Sequence, residues 1–291
     1  MSSFRTWASD IEKGESMPGI RLVAFDLDHT LVGRDLAFSP RVRAAVARAQ
    51  AQGVLVTIAT GRGLWPTTRL AAELGVKVPI ICFQGGLVYD FLAERLIHET
   101  RLDPVVVPAI VRLADERRWD LEFETPRVIY VRQNVEHTPA VVNALKTASN
   151  VRWVDDFLRE LPETPHKFLI SVPDPALRDG LEADLRACWD QDLARITIVP
   201  SHPLFVEGIP HGMSKAVGVS WLAASLGIGR EAVMTVGDYN NDVEMLEWAG
   251  LGVAMADGSP AALAAANEVV PPQAEDGAAI ALEKFVLGDP A

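Results

Sequence analysis

This chain of 291 residues has two cysteines, Cys82 and Cys188. Cys82 sits in an apolar run, which points to a buried free thiol rather than a disulfide or a metal ligand. A reducing, cytoplasmic setting is therefore expected. No apolar run is long enough to cross a membrane, so no membrane partner is expected. The opening MSSFRTWASDIEKGESMPGI lacks the basic start, apolar middle and small-residue cleavage site of a signal peptide. Residues 1–19 read as a polar lead-in. Basic residues are scarce, with 27 Lys and Arg against 39 Asp and Glu, for a formal net charge of −12. A phosphate backbone needs a basic footprint, so no nucleic-acid partner is expected. An anionic substrate would have to be held by local positive groups against the overall field. There is no internal repeat and no low-complexity tract. The dinucleotide fingerprint is missing, because GRGLWP has Pro66 where the third glycine belongs. GMSKA nearly matches a serine-hydrolase elbow, but that fold order needs a histidine after the serine, and the last histidine is His211.

What is present is ordinary for a globular protein, with 49% apolar and 23% charged residues. The length suits one large domain or two ordinary ones. The most informative stretch is RLVAFDLDHTL, Arg21 to Leu31. Leu22 to Phe25 form a short unbroken apolar run, as expected of a strand buried on both faces of a parallel sheet. The run ends in Asp26 and Asp28. Ligands in open α/β sheets bind beyond the carboxyl ends of strands. Side chains alternate with period two, so both carboxylates leave the strand on one side. Two carboxylates so placed call for a cationic neighbour, and a hard divalent metal held through oxygen suits them.

The pattern repeats. SPRVRAAVARAQAQG predicts a helix with Ser39 as N-cap, Pro40 at its first position and Gly53 beyond its end. Its apolar face is Val42, Ala45, Val46 and Ala49. VLVTIATGRG is a second strand that ends in Thr60, Gly61 and Arg62. A helix near Leu64 to Leu74 leads to VPIICFQGG, a third strand that ends in Gln84, Gly85 and Gly86. From about residue 87 to 205 the texture changes to mixed strands and helices, including hairpin-like LEFETPRVIYVR, a helix capped at Thr138, and strand HKFLISV. The parallel pattern then resumes. A helix begins at Ser214 with Lys215 in its first turn, where acids are the usual choice. A strand follows that runs into GDYNND, with Asp238, Asn241 and Asp242. The expected fold class is α/β, a three-layer Rossmann-like parallel-sheet core of residues 20–86 and 206–291. An α+β domain of residues 87–205 is inserted in it, hinged near 86 and 205–210.

Four motifs, in order, resemble the haloacid dehalogenase superfamily, specifically its Cof-type phosphatases with an α/β cap. They are DLDHTL at Asp26 to Leu31, ATGR at Ala59 to Arg62, MSKAVGVSWLAASLGI around Lys215, and GDYNNDVEML at Gly237 to Leu246. The resemblance implies a Mg²⁺-dependent phosphatase acting on a small soluble phosphomonoester. Asp26 would be the nucleophile that forms an aspartyl-phosphate, and Asp28 the general acid and base. Asp26, the Asp28 backbone carbonyl and Asp238 would hold Mg²⁺. Thr60, the backbone around Gly61 and Arg62, and Lys215 would hold the transferring phosphoryl group, with Gln84 and Gly85 on the leaving-group side. Asn241 and Asp242 would support Asp238 and orient Lys215.

Three positions depart from the family pattern. Gln84 stands where many relatives have Asn, His29 where Gly is usual, and Asp257 where Asn is frequent. His29 reads as structural, since Asp28 already supplies the proton chemistry. Alternatives are a sugar phosphomutase or a non-catalytic phosphate-binding relative. Specificity is expected in the inserted domain, with Arg127, Arg132, Trp153, His166 and Lys167 as candidate contacts. Monomer and homodimer are both open.

Overall fold

A computed structural model describes residues 19–133, 135–139, 141–142, 150–188, 195–202 and 204–289. The lead-in, residues 1–18, lies outside the described residues, as does most of the helix expected after Thr138. At the start of that helix, Thr138 Oγ1 accepts from the Val141 amide at 3.3 Å, as an N-cap does.

The main sheet has the order β14-β13-β12-β1-β2 and is parallel throughout. Its strands are β1 (Leu22–Phe25), β2 (Leu55–Ile58), β12 (Val233–Gly237), β13 (Leu251–Met255) and β14 (Glu268–Val270). β1 is fully buried, as its unbroken apolar run predicts. Val23 and Phe25 pack on one face with α1 (Pro40–Ala51) and with α8 (Gly277–Leu282). Leu22 and Ala24 pack on the other with α5 (Lys215–Ser225) and α6 (Val243–Trp248). Helix α1 buries the four expected residues, and Ser39 caps it by accepting from the Val42 amide. Helices α2 (Leu64–Leu74), α4 (Arg178–Cys188) and α7 (Pro260–Ala265) follow the same chain pattern, and Ser259 caps α7 by accepting from the Ala262 amide.

The chain runs from β1 to β2 on one side, and returns much later to β12 on the other. The reversal of strand order opens a crevice at the carboxyl end of β1, where α/β proteins bind ligands. Asp26 stands at that point.

The second sheet has the order β10-β11-β9-β6-β7-β8 and is antiparallel except between β7 and β8. It comprises β6 (Asp120–Glu124), β7 (Ile129–Arg132), β8 (Val151–Val154), β9 (Lys167–Ser171), β10 (Ile196–His202) and β11 (Phe205–Pro210). Leu121, Phe123, Phe168 and Ile170 face α3 (Val106–Arg117) and form a separate core.

The expected division at 86/87 and 205/206 does not coincide with sheet membership. β4 (Leu87–Asp90) pairs antiparallel with β5 (Arg95–Glu99) and with β3 (Ile80–Cys82), which joins the main sheet through a parallel bridge between Ala59 and Ile81. Residues 87–99 therefore stay with the core. Residues 205–210 belong to the inserted sheet, because β11 pairs with β9 and β10. An apolar run marks a strand but carries no record of which neighbour completes its hydrogen bonds.

Candidate active site

Asp26 extends the β1 ladder, its amide donating to the Val236 carbonyl at 2.8 Å. Its side chain is buried, and Oδ1 accepts from Lys215 Nζ at 2.5 Å. The same ammonium donates to Asp242 Oδ1 at 2.6 Å. Lys215 opens α5, where a cation opposes the helix dipole. The two buried carboxylates reverse that preference. Burial disfavours the charged amine, but Asp242 and Asp26 outweigh it and raise its pKa. Lys215 Nζ is held between the Asp26 and Asp242 carboxyl groups.

Asp242 has no oxygen left for other partners. Its Oδ2 accepts from the Asp238 and Tyr239 amides at 2.9 and 3.0 Å, which shapes the turn after β12. Asp238 is buried, and its Oδ1 accepts from Thr30 Oγ1 at 2.8 Å. Thr30 and Tyr239 are residues of this network to which the sequence attached no role. The chain turns after Asp28, with His29 at φ 62°, so strand alternation carried no signal for Thr30.

Carboxylate oxygens of Asp26, Asp238 and Asp242 lie within 4.8 Å of one another. Burial pushes the Asp26 carboxyl well above its ordinary range, against the pull of Lys215. Burial, then Asp242, pushes Asp238 up to about 6. Among the described residues, Asp26 Oδ2 and Asp238 Oδ2 have no hydrogen-bond partner. Two buried hard oxygen donors, each with an unspent oxygen and an excess of negative charge, fit a divalent cation. Asp242 does not fit as a ligand, since Lys215 and two amides already take its oxygens.

The segment after β2 supplies the next wall. Thr60 is buried, and its Oγ1 accepts from the Arg62 amide at 3.1 Å. Arg62 forks Asp28, Nε to Oδ2 at 2.7 Å and Nη2 to Oδ1 at 2.6 Å. The resemblance gives the backbone around Gly61 and Arg62 a phosphoryl role and gives this guanidinium none; in the structure the guanidinium lies on Asp28.

The turn after β3 is wound the wrong way for most residues. Phe83, Gln84 and Gly85 have φ of 51°, 55° and 95°. A Cβ on Gly85 would meet the Ser214 carbonyl oxygen at 2.0 Å, so glycine lets α5 begin against this turn. Gln84 Oε1 accepts from Asn241 Nδ2 at 3.1 Å, whereas its buried Nε2 has no partner among the described residues. Asn241 thus holds Gln84 and not Asp238, a correction to the role expected for it. The donor Nε2 lies within reach of Gly61, where a Cβ would approach it to 2.3 Å. His29 has φ of 62° and is exposed, which explains why glycine suits this position.

Of the inserted-domain candidates, Lys167 contacts the segment after β2. Its buried Nζ donates to the Gly61 carbonyl at 3.2 Å and pairs with Glu124 at 3.0 Å and Glu207 at 3.5 Å. Arg132 lies on the opposite face of the sheet, over the Phe157 ring and paired with Asp115. Arg127 is exposed. Trp153 meets His137 edge-on. His166 stacks on Phe83 at 4.9 Å, with Nε2 2.9 Å from Glu99. The contact with Glu99 is close but badly angled, so it is an ion-pair distance and not a hydrogen bond.

A divalent-cation pocket at the switch point of a parallel sheet, a buried aspartate held by lysine, and an inserted sheet above them define a class of phosphoryl-transfer hydrolases. Residues 23–282 match the haloacid dehalogenase-like hydrolase family, and the chain belongs to it, in its Cof-type phosphatase branch. It is 29% identical over 269 residues to 5-amino-6-(5-phospho-D-ribitylamino)uracil phosphatase YitU of Bacillus subtilis, covering 91% of this chain and 97% of that one. It is likewise 29% identical over 258 residues to phosphatase YwpJ of the same organism, covering 81% and 89%. A haloacid dehalogenase-like hydrolase from Bacteroides thetaiotaomicron shares the fold at a TM-score of 0.81 and 28% identity, covering 91% of this chain and 99% of that one. Enzymes of this superfamily generally use a divalent metal. No described helix is long and apolar enough to cross a membrane.

Proposed function

We propose that the protein hydrolyses a small phosphomonoester through a phosphorylated Asp26, with Mg²⁺ as its metal. The observation that carries this reading is the unspent Oδ2 of a buried Asp26 whose other oxygen is clamped by Lys215. In the first step Asp26 attacks phosphorus, the bond from phosphorus to the ester oxygen breaks, and Asp28 gives that oxygen a proton. In the second step water attacks the same phosphorus. Asp28 takes the water's proton, the acyl-phosphate bond breaks, and the Asp26 carboxylate returns. Both oxygens of Asp28 accept from Arg62 in the structure, so the fork must open for Asp28 to carry a proton. Arg62 is then free to turn onto the phosphoryl oxygens beside Thr60 and Lys215. Asp26, Asp238 and the Asp28 backbone carbonyl would hold Mg²⁺, which neutralises charge between the carboxylates and the phosphate.

The test is release of inorganic phosphate from a panel of small phosphomonoesters with Mg²⁺, with EDTA and with Asp26→Asn. Metal-dependent release that is lost in the variant supports the reading. Metal-dependent release that survives in Asp26→Asn would overturn the phospho-enzyme.

A further inference from the structure

The face of the inserted sheet that looks toward Gly61 carries an uneven set of charges. Asp120, Glu122 and Glu124 alternate along β6, so all three share that face. Pairing in register brings Lys167 beside Glu124, and places Leu169 between Glu207 on one side and Glu122 on the other. Glu122, Glu124, Lys167 and Glu207 are each at most 8% exposed.

The partners divide unequally. Lys167 takes Glu124 and Glu207 and adds the Gly61 carbonyl. Asp120 accepts from the Thr138 amide at 2.7 Å and lies 2.8 Å from His137 Nδ1. Glu122 has no hydrogen-bond partner among the described residues. Its neighbours across the strands are Val131 and Leu169, and the charges nearest it are Glu124, Lys167, Asp120 and Glu207. Burial, then Glu124, pushes its carboxyl up to about 8. With no donor beside it the carboxyl is held in its neutral form at neutral pH, and an ammonium placed there would favour the ionised form. It is kept on the face above the site, where Glu124 approaches Gly63 and Arg62 links that wall to Asp28.

We infer that Glu122, with Glu124, receives a protonated amine in the leaving group, so that the preferred substrates are phosphomonoesters of amino alcohols or amino sugars. The inference rests on the phosphatase reading above. One ammonium supplies the donors that Glu122 lacks, and brings two cations to face three glutamates. A second anionic group on the substrate, a carboxylate or another phosphate, meets repulsion there.

Two matched pairs test it with Mg²⁺ present: O-phosphoethanolamine against ethyl phosphate, and glucosamine 6-phosphate against glucose 6-phosphate. In at least one pair the amine raises kcat/KM by about tenfold or more. N-acetylation of the sugar amine removes the advantage, and Glu122→Gln, shown to be folded by its thermal transition, brings the ratio to about one. No amine preference in either pair, or a preference that survives Glu122→Gln, overturns the inference. p-Nitrophenyl phosphate separates the two readings. Its Asp26-dependent hydrolysis keeps the phosphatase reading even where the amine preference fails, and no hydrolysis of any of these esters overturns both.

Discussion

Arg62 holds Asp28 by a two-pronged fork at 2.7 and 2.6 Å, although both side chains are part-exposed, at 31% and 41%. An ion pair that wet contributes about 1 kcal/mol or less to stability. Its value therefore lies in the site. Arg62→Ala is expected to leave the unfolding midpoint in urea nearly unchanged and to lower kcat/KM by about 100-fold, as loss of one transition-state donor does. Arg62→Lys should recover little, because an ammonium cannot reproduce the fork.

Lys215 presents the opposite case. It is buried between Asp26 and Asp242, so its removal leaves two buried carboxylates facing each other. Lys215→Met should cost about 3–5 kcal/mol in chemical denaturation as well as activity. Neutralising one anion at the same time, as Lys215→Met with Asp242→Asn, should restore part of the stability but none of the turnover. Equal losses in the single and double variants would show that the buried pair is not the cause.

Two glycines of similar backbone geometry should differ sharply. Gly53 has φ of 82° and open space where a Cβ would go, so Gly53→Ala should cost about 1–2 kcal/mol from backbone strain alone. Gly85 has φ of 95° and the Ser214 carbonyl 2.0 Å from that Cβ. Gly85→Ala should cost about 3 kcal/mol or more and should displace the start of α5, with Lys215 on it. Thermal unfolding of the two variants side by side checks the difference.

Stability should depend on pH through Glu122 and His166 with opposite signs. Burial, then Glu124, raises Glu122 from an ordinary 4.5 to about 8. The native state then binds the extra proton, and stability is lost as pH rises from 4.5 through 8. Glu122→Gln should gain stability over the parent across that interval and not below it. Burial lowers His166 from 6.5 to about 4, against the pull of Glu99. Stability from a neutral His166 is present above 6.5 and is lost as pH falls through 4. A His166→Gln variant should lose that acid limb in a series of melting curves.

Metal should be visible without turnover. Mg²⁺ at about 100 times its dissociation constant should stabilise the fold by about 2.7 kcal/mol. Asp238→Asn should abolish the shift in melting temperature, because it changes a buried oxygen donor and leaves Lys215 in place. An undiminished shift in that variant would remove Asp238 from the metal site.

Much of this protein was legible in its chain. The buried strand Leu22–Phe25, the capped helix Pro40–Ala51 and the polar strand ends follow from local periodicity and from cap and turn chemistry. Those features depend on residues within a few positions of one another. Asp26, Asp28, Thr60, Lys215 and Asp238 could be named because each follows such a strand or opens such a helix.

Partnership was decided only by the tertiary structure. Lys215 meets Asp26 across 189 positions of chain, and Arg62 meets Asp28 across 34. Asn241 turns to Gln84 instead of Asp238, and β4, β5 and β11 each join a sheet that their texture did not indicate. The left-handed turn at Phe83 and Gln84, and a buried Glu122 with no hydrogen-bond partner among the described residues, leave no mark in local sequence. Local sequence determines which residue types stand at the ends of strands. Which charge they meet depends on how distant segments share one buried space, where each donor can be spent only once.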